Sequence, residues 1–539
     1  MTLNRRSALA LIGGSAALGV PGAAQAAATG SFAHGVASGD PAKDGAVLWT
    51  RITTEGGDVP VTWHVAESQD GKPLASGKAT ARAAADHTVK VEVTRLKPGR
   101  DYWYWFALGD QRSPVGRFRT LPVGAVDQLV LAVASCQLYP GGLFNAYADM
   151  AALPRLDAVL HLGDYIYEYG ADEYGADIGR KLGRLPDPPH EIVKLDDYRR
   201  RHAQVKADPD MQAAHARAAF LCVWDDHEVA NDGWIGGAEN HDPAKEGDWK
   251  ARKAAAMQAY FEWMPIRDPK PGKPWEAINR SFEFGNLATL AMVETRLLAR
   301  SQQAEVKGGT PGPAEYQAVM AERARPEREL LGAEQQRWLE NVLASSVRAD
   351  KPWQLLGNQV VMARVAGPDL SGFAARIAQL PEGYRGRLQA ADAGYKAGLP
   401  FNFDAWDGYP PARERLYAAF KRAGAKPIVL AGDSHAAWAN DLYDDAGTLV
   451  ASEFGATAIT SPSYGSLLPG LGTALAEANR EVAYCDQDSK GYTLLTLTPT
   501  AATAEFVTVS TILKKPFIRS VAATYRAAPA GKRTPLERV

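Results

Sequence analysis

Between Ser31 and about Thr120, apolar and polar positions alternate in short runs, the period of half-buried strands. Val47-Leu48-Trp49-Thr50-Arg51-Ile52, Val61-Thr62-Trp63-His64-Val65, Val89-Lys90-Val91-Glu92-Val93 and Asp101-Tyr102-Trp103-Tyr104-Trp105-Phe106 are β-branched or aromatic, with Gly, Asp and Pro between them. Strands at this spacing predict an all-β sandwich of fibronectin or immunoglobulin type over residues 31–120, with Leu121-Pro122-Val123-Gly124 as linker. From Asp127 the texture changes to unbroken apolar runs: Leu129–Ala134, Ala158–Leu162, Phe220–Trp224, Leu287–Val293, Trp353–Leu356 and Pro427–Ala431. Each suits a strand buried on both faces. Helical periodicity lies between them, at Asp196–Phe220, Trp249–Trp263 and Ala333–Ser346, and strand pairs return between Val482 and Ser510. The pattern predicts an α/β unit over residues 127–512.

Composition narrows the class. The 539 residues are 46% hydrophobic and 23% charged, an ordinary globular balance that excludes disordered and coiled-coil chains. A net charge of −2 carries no nucleic-acid-binding signal. Three cysteines build neither a disulfide framework nor a zinc ribbon. At the start, Asn4-Arg5-Arg6-Ser7 leads into a weakly apolar stretch, Ala8–Val20, broken by three glycines and followed by Ala24-Gln25-Ala26. This reads as a signal peptide over residues 1–26, too short to span a membrane. Paired arginines before a weak apolar core resemble a twin-arginine signal, so the expected partner is the Tat export machinery. The expected location is periplasmic or secreted, and the protein is not an integral membrane protein. Residues 513–539, with basic residues from Lys514 to Arg538 against the single acid Glu537, read as a basic tail or a lid.

Candidate chemistry sits where the apolar runs stop. Leu129–Ala134 ends in Ser135-Cys136, and Val159–Leu162 in Gly163-Asp164-Tyr165-Ile166-Tyr167. Leu221–Trp224 ends in Asp225-Asp226-His227-Glu228, with Asn231 and Asp232 beyond; Leu355-Leu356 ends in Gly357-Asn358-Gln359 and Ile428–Ala431 in Gly432-Asp433-Ser434-His435. Ligand sites of α/β sheets lie outside the carboxyl ends of strands, so five such loops predict one convergent site. Carboxylates gathered and buried repel unless cations neutralise them. Hard oxygen donors suit calcium or a trivalent ion, and the anionic donors Cys136 and Tyr167 suit ferric iron. Two metals sharing a carboxylate would activate a water and clamp a phosphate.

Ser135-Cys136, Gly163-Asp164-Tyr165-Ile166-Tyr167, Trp224-Asp225-Asp226-His227-Glu228 and Gly432-Asp433-Ser434-His435, together with Phe32-Ala33-His34-Gly35-Val36-Ala37-Ser38-Gly39-Asp40-Pro41, resemble the alkaline phosphatase D (PhoD-like) family. That family is a distant relative of purple acid phosphatases and calcineurin-like metallophosphoesterases. The resemblance implies a calcineurin-like catalytic domain carrying Fe3+ and Ca2+. Asp164 would bridge two metals, Cys136 and Tyr167 would bind the iron, and Asp226 the second metal. His227 would contact the phosphate or the leaving oxygen, and Asp433 and His435 match the superfamily's closing Gly-His-x-His motif. Asn358 or Asn231 would complete the calcium site, Asn231 also being a candidate for the substrate's path. The implied reaction is hydrolysis of phosphate mono- or diesters by metal-activated hydroxide, with an alkaline optimum and no covalent phospho-enzyme. A phospholipase D-like phosphodiesterase on the same site is the alternative.

Plainer readings stand beside these. Arg296 is either a phosphate clamp or, more simply, one end of a structural salt bridge. Asp225 suits a ligand, a helix cap or a supporting role equally. His161, Cys222 and Cys485 read as core residues, Tyr165 and Tyr169 as packing or rim aromatics. Gly432-Asp433-Ser434 also suits a serine esterase with Ser434 as nucleophile and His435 as base, although no Gly-x-Ser-x-Gly elbow is present.

Overall fold

The computed structural model describes residues 30–306 and 311–539; the expected leader over residues 1–26 lies outside the described residues. The apolar runs become the centres of two sheets. Leu129–Ala134, Ala158–His161 and Ala219–Cys222, buried along their whole lengths, pair in parallel. Antiparallel strands Lys490–Leu497, Ala502–Val509 and Arg519–Ala527 extend this sheet on one flank. The second sheet has Ala288–Met292, Trp353–Gly357, Ile428–Ala431 and Leu449–Gly455 in parallel at its centre. One apolar core takes Leu131, Leu160 and Leu495 from the first sheet and Leu290, Leu355 and Leu430 from the second, so the sheets stack face to face. A further core beneath helices Ala333–Arg348 and Pro410–Ala423 covers the second sheet's outer face, with Leu339, Leu343, Leu416 and Phe420 against Leu356 and Val429.

The connections carry ordinary helix signals. Pro209 opens helix Pro209–Arg217, where the Asp208 carboxylate accepts from the amides of Asp210 and Met211. Asp248 caps Trp249–Trp263 in the same way, accepting from Ala251 N. The run expected as one helix, Asp196–Phe220, is two helices, Leu195–Lys206 and Pro209–Arg217, because Asp208-Pro209 restarts the capping pattern. Among the described residues, no helix is long and apolar enough to cross a membrane.

The N-terminal strands form where the alternation placed them, but their partners were not legible. Val59–Ala66, Ala75–Ala81, Asp101–Leu108, Gln111–Arg112 and Gly116–Arg119 make a separate five-stranded sheet. Val36–Ala42, Gly45–Arg51 and Thr88–Val93 instead join the sheet of Leu129–Ala134, raising it to ten strands. The two layers share a core with Leu48, Val61, Val89, Tyr104 and Phe118. The β-rich region is therefore two-layered, and one layer is continuous with the central sheet rather than separated from it by a linker. The join is Gly39, paired in parallel with Phe220. A Cβ there would lie 2.2 Å from the Pro265 carbonyl oxygen and 2.6 Å from that of Phe220. Next to it, buried Asp40 accepts from Arg280 Nε at 2.8 Å and from Arg267 N at 2.8 Å.

Residues 513–539 are not a free tail. Strand Arg519–Ala527 pairs along Ala502–Val509, and the Leu536 amide donates to Asp441 at 3.1 Å. Their cationic side chains decorate a sheet edge, where charge discourages pairing with other chains.

Gly39→Val should weaken the attachment of the N-terminal strands by overpacking against two carbonyls, costing about 1–3 kcal/mol. Urea unfolding followed by tryptophan fluorescence checks this; an unchanged midpoint would show the close approach to be unimportant.

Candidate metal centre

The loops that leave the parallel strands turn within one residue. Cys136, Asp164, Asp433 and His435 have φ of 59°, 57°, 61° and 58°, in the left-handed region that residues with a Cβ seldom adopt. Main-chain bonds stitch the turns together: Cys136 N donates to Gly163 O at 3.2 Å, Gln137 N to Asp164 O at 3.0 Å, and Gly432 N to Gln359 O at 2.7 Å. The glycines permit the approach. A Cβ on Gly163 would lie 2.3 Å from Asp225 N, and one on Gly432 2.7 Å from Ser135 Oγ. The strand ends of both sheets thus meet at one seam.

Three overlapping groups of ligand atoms form there, each with its atoms within 4.8 Å of one another. One holds Cys136, Asp164 and His435; the next Asp164, Asp226 and His227; the third Asp225, Asp226 and Asp433. Asp164 belongs to the first two and Asp226 to the last two, so adjacent groups share a carboxylate. Tyr167 adjoins the first, its hydroxyl donating to Asp164 Oδ2 at 2.8 Å and lying 3.5 Å from His435 Nε2.

Buried carboxylates hold this arrangement in place. Glu228 accepts from the amides of Asp164 at 3.0 Å, Tyr165 at 2.5 Å and Asp225 at 2.7 Å, pinning two strand ends with one side chain. Glu168 lies 2.7 Å from His227 Nδ1 and also accepts from Asn231 N at 2.7 Å and Asn240 Nδ2 at 2.8 Å. Arg296 is wholly buried and bonds Asp225 through Nε, Asp404 at 2.7 Å and Asp433 at 2.9 Å, with Asp226 3.5 Å away. It is a structural ion pair, its fork occupied by carboxylates rather than presented to a phosphate. Asp404, Glu168 and Glu228 were not singled out from sequence. Glu168 directly follows one strand-end loop already noted and Glu228 closes another without having been given a role, a signal that was available; Asp404 sits in an irregular segment without one.

Two expected residues are engaged elsewhere. The Asn358 amide donates to Val360 O and accepts from Trp406 Nε1 at 3.0 Å, and it belongs to none of the three ligand groups. The Asn231 side chain donates to Glu239 at 3.2 Å. Ser434 Oγ accepts from Trp438 Nε1 at 2.8 Å, and His435 Nδ1 contacts Pro462 O at 2.7 Å, so the serine esterase reading lacks its serine–histidine bond. His161, as a core residue, contacts Gln137 Oε1 at 3.1 Å, and Tyr165 packs with its hydroxyl 2.8 Å from His215 Nε2.

The electrostatics call for cations. Burial, reinforced by neighbouring acids, pushes the Asp164 and Asp225 carboxyls well above the usual range, despite His227 and Arg296. Burial and then Asp164 raise the Cys136 thiol and the Tyr167 phenol, so neither ionises without a positive partner. Burial and Lys490 lower His435 to about 3, which keeps its imidazole neutral, the form that ligates. Asp164 Oδ1, Asp225 Oδ2 and Asp226 Oδ1 are buried and find no hydrogen-bond partner among the described residues. Orphaned anionic oxygens beside a thiol, a phenol and a neutral imidazole fit bound metal. A hollow of about 1430 Å³ lies apart from these groups, between strands near Ala79–Lys90 and helix Trp249–Trp263.

Comparison with known proteins agrees with this geometry. The family model described as PhoD-like phosphatase matches residues 131–506, and that of the PhoD-like phosphatase N-terminal domain matches residues 17–122. Alkaline phosphatase D of Bacillus subtilis (strain 168) is 37% identical over 488 residues, covering 87% of this chain and 76% of the relative. A solved structure titled "Structure of PhoD" superposes with a TM-score of 0.77 at 33% identity, covering 94% of this chain and 92% of that one.

Removing the guanidinium by Arg296→Met should destabilise the fold by about 3–5 kcal/mol, because the carboxylates around it are left uncompensated. Arg296→Lys should recover only part, since an ammonium lacks the fork that reaches several acids. Chemical denaturation of the three proteins tests this; equal stability of wild type and Arg296→Met would remove Arg296 from the centre's framework.

Proposed function

The chain belongs to the PhoD-like phosphatase family and is a phosphoric ester hydrolase, and from that premise we propose that it cleaves phosphate esters at a centre of ferric iron and calcium. The observation that carries the reading is the shared carboxylate: Asp164 belongs to two ligand groups and keeps one buried oxygen without a partner. In this reading Asp164 would be shared by the two metal sites, Cys136, Tyr167 and His435 would hold the iron, and Asp226 with Asp433 would hold calcium. Asp225 joins that second set by its place in the third group. Bound cations would neutralise the phosphoryl oxygens and lower the pKa of the water that attacks phosphorus.

The chain's own residues position and protonate. Glu168 holds His227 Nδ1, which fixes the ring's orientation and leaves Nε2 for the substrate. Burial disfavours the His227 cation, but Glu168, Asp226 and Asp164 outweigh it and hold the imidazole's pKa well above its ordinary value. A protonated His227 donates to the alcohol oxygen as the P–O bond breaks, so the alcohol leaves neutral. Asp226, whose Oδ2 accepts from Asp232 N at 2.6 Å, turns its other oxygen to the centre.

The finer assignments belong to the same proposal. Residues 1–26 act as a twin-arginine signal that delivers the folded, metal-loaded protein outside the cytoplasm. The β-rich layers within residues 31–120 have a fibronectin-like character although one of them runs into the central sheet, and the α/β part over residues 127–512 is the calcineurin-like catalytic unit.

Elemental analysis of the purified protein, with hydrolysis of a monoester and a diester before and after chelation, tests the centre. Iron with calcium, and activity lost on chelation, is the expected result; full activity of a metal-free protein would overturn it. Asp164→Asn should lose both metals and essentially all turnover, whereas Cys136→Ser should lose iron in preference to calcium. Unchanged iron content in Cys136→Ser would remove the thiolate from the site.

Several anionic donors on one cation weaken its pull on a bound water, so the pH–rate profile should rise above neutrality. A maximum below about pH 6 would contradict that ligand set.

A further inference from the structure

Beside the metal centre lies a small cavity of about 170 Å³ that the reaction as described does not use. Four aromatic rings and five leucines line it, with Arg387 at its wall: the rings are Tyr384 and Tyr395 from helix Glu382–Lys396, Phe401 from the loop after it, and Tyr464 from the segment that leaves the centre. The Phe401 and Tyr464 rings meet edge to face at 6.1 Å, and Tyr395 lies 6.1 Å from Phe401. Tyr384 and Tyr464 are 48% and 53% exposed, so two large rings stand open beside the cavity.

The cavity is tied to the chemistry by three residues of chain. Ser461 Oγ lies 2.7 Å from the Tyr167 hydroxyl, Pro462 O takes the His435 contact at 2.7 Å, and Tyr464 follows after Ser463. Tyr174 stands between the two places. Its ring is 6.2 Å from that of Tyr167 and its hydroxyl donates to Pro462 O at 3.4 Å. Burial raises its phenol, and Cys136, Asp164, Tyr464 and Tyr384 all add to the effect at short range. A group joined to a phosphate at the metal centre therefore has a lined recess within reach.

Size and surface choose the occupant. The volume exceeds the ~30 Å³ share of one water and falls below the roughly 300–1,000 Å³ of a site for a drug-sized ligand. It suits a single ring system and is too short for a long acyl chain. The leucines pack against any apolar group, and the four rings together with the Arg387 guanidinium add the faces and edges that favour a π-system over an aliphatic chain of equal area. Resting on the phosphoesterase reading, we infer that this cavity is the subsite for a planar aromatic ring carried on the alcohol half of the substrate, with Tyr384 and Tyr464 as its specificity-determining residues.

The test compares ethyl, 2-phenylethyl and n-hexyl phosphates, whose alcohols are similar in basicity, so that intrinsic reactivity drops out. The holoenzyme should prefer 2-phenylethyl over ethyl phosphate by about tenfold or more in kcat/KM, chiefly through KM, and over n-hexyl phosphate several-fold. Tyr384→Ala, which removes a wall, and Ala391→Phe, which fills the recess from helix Glu382–Lys396, should each bring the phenylethyl-to-ethyl ratio toward one; Tyr384→Phe should keep it. The ratio is taken within one preparation, so a loss of folded enzyme cancels. A wild-type ratio near one, an equal gain with n-hexyl phosphate, or an unchanged ratio in both Tyr384→Ala and Ala391→Phe would overturn the subsite. Hydrolysis of none of the three, nor of the corresponding methyl diesters, would overturn the phosphoesterase reading instead. Calorimetric binding of 2-phenylethylphosphonate against ethylphosphonate then decides the subsite, equal affinities refuting it and tighter binding of the ring supporting it.

Discussion

Crowded negative charge at the seam between the two sheets governs this molecule. Asp225, Asp226, Asp404 and Asp433 surround the single guanidinium of Arg296, and Asp164 and Glu228 are buried a few residues away. Arg296 and the equally buried Arg300, which also pairs with Asp404, do not together balance that many anions in a low-dielectric interior. The remaining charge is relieved by protons or by metal ions. Protons suffice for a folded apo-protein, which explains why burial and mutual repulsion push Asp164 and Asp225 so far up. Metal ions bound there would replace those protons and make ligands of the same groups, linking folding, metal affinity and proton release through one set of side chains.

The site was legible in the sequence because of where α/β folds put their chemistry. Cys136, Asp164, Asp226 and Asp433 each lie one to four residues past a buried parallel strand, and parallel strands share a carboxyl edge. The order of the strands need not be known for that inference to work. Left-handed φ at Cys136, Asp164, Asp433 and His435 adds a structural mark of function, since none of the four is a glycine and each conformation must be held by its surroundings. What the sequence could not reveal was how each polar group is already occupied. Asn358 follows a strand as a ligand would, yet its amide is engaged by Trp406 and Val360, partners 48 residues and two residues away. Arg296 could be read either as clamp or as ion pair until its four acids were placed around it.

The fold was legible to the level of elements and not of their pairing. Alternation located strands near 47–52, 61–65, 89–93 and 101–106, and all four exist. Alternation says which face is buried but not against what. The parallel contact between Gly39 and Phe220 joins residues 181 positions apart, and its warrant is a steric one, room for a bare Cα between two carbonyls. The segment Phe32–Pro41, quoted as a motif, thus has a structural role: Gly39 lets the strand dock, and Asp40 binds Arg280 and the Arg267 amide from the opposite side. The C-terminal basic run misled for a related reason. Charge density suggests solvation, but a sheet edge is solvated on one side and hydrogen-bonded on the other.

The loop from Ile459 to Tyr464 connects these levels. Thr460 N and Ser461 N both donate to Cys136 O, at 3.3 Å and 3.2 Å, and Ser461 Oγ donates to the same oxygen at 2.9 Å. The carbonyl of one ligand residue therefore sets the register of the loop whose other end places Tyr464 over the aromatic recess. Pro462 contributes its carbonyl to His435, a ligand from the second sheet. A strut fixed at both sheets moves as a unit, so the geometry around the shared carboxylate and the space allotted to the departing alcohol are not independent variables. On the proposed reading, catalytic competence and alcohol selectivity would rest on the same few main-chain bonds, so changes confined to that loop would reach both.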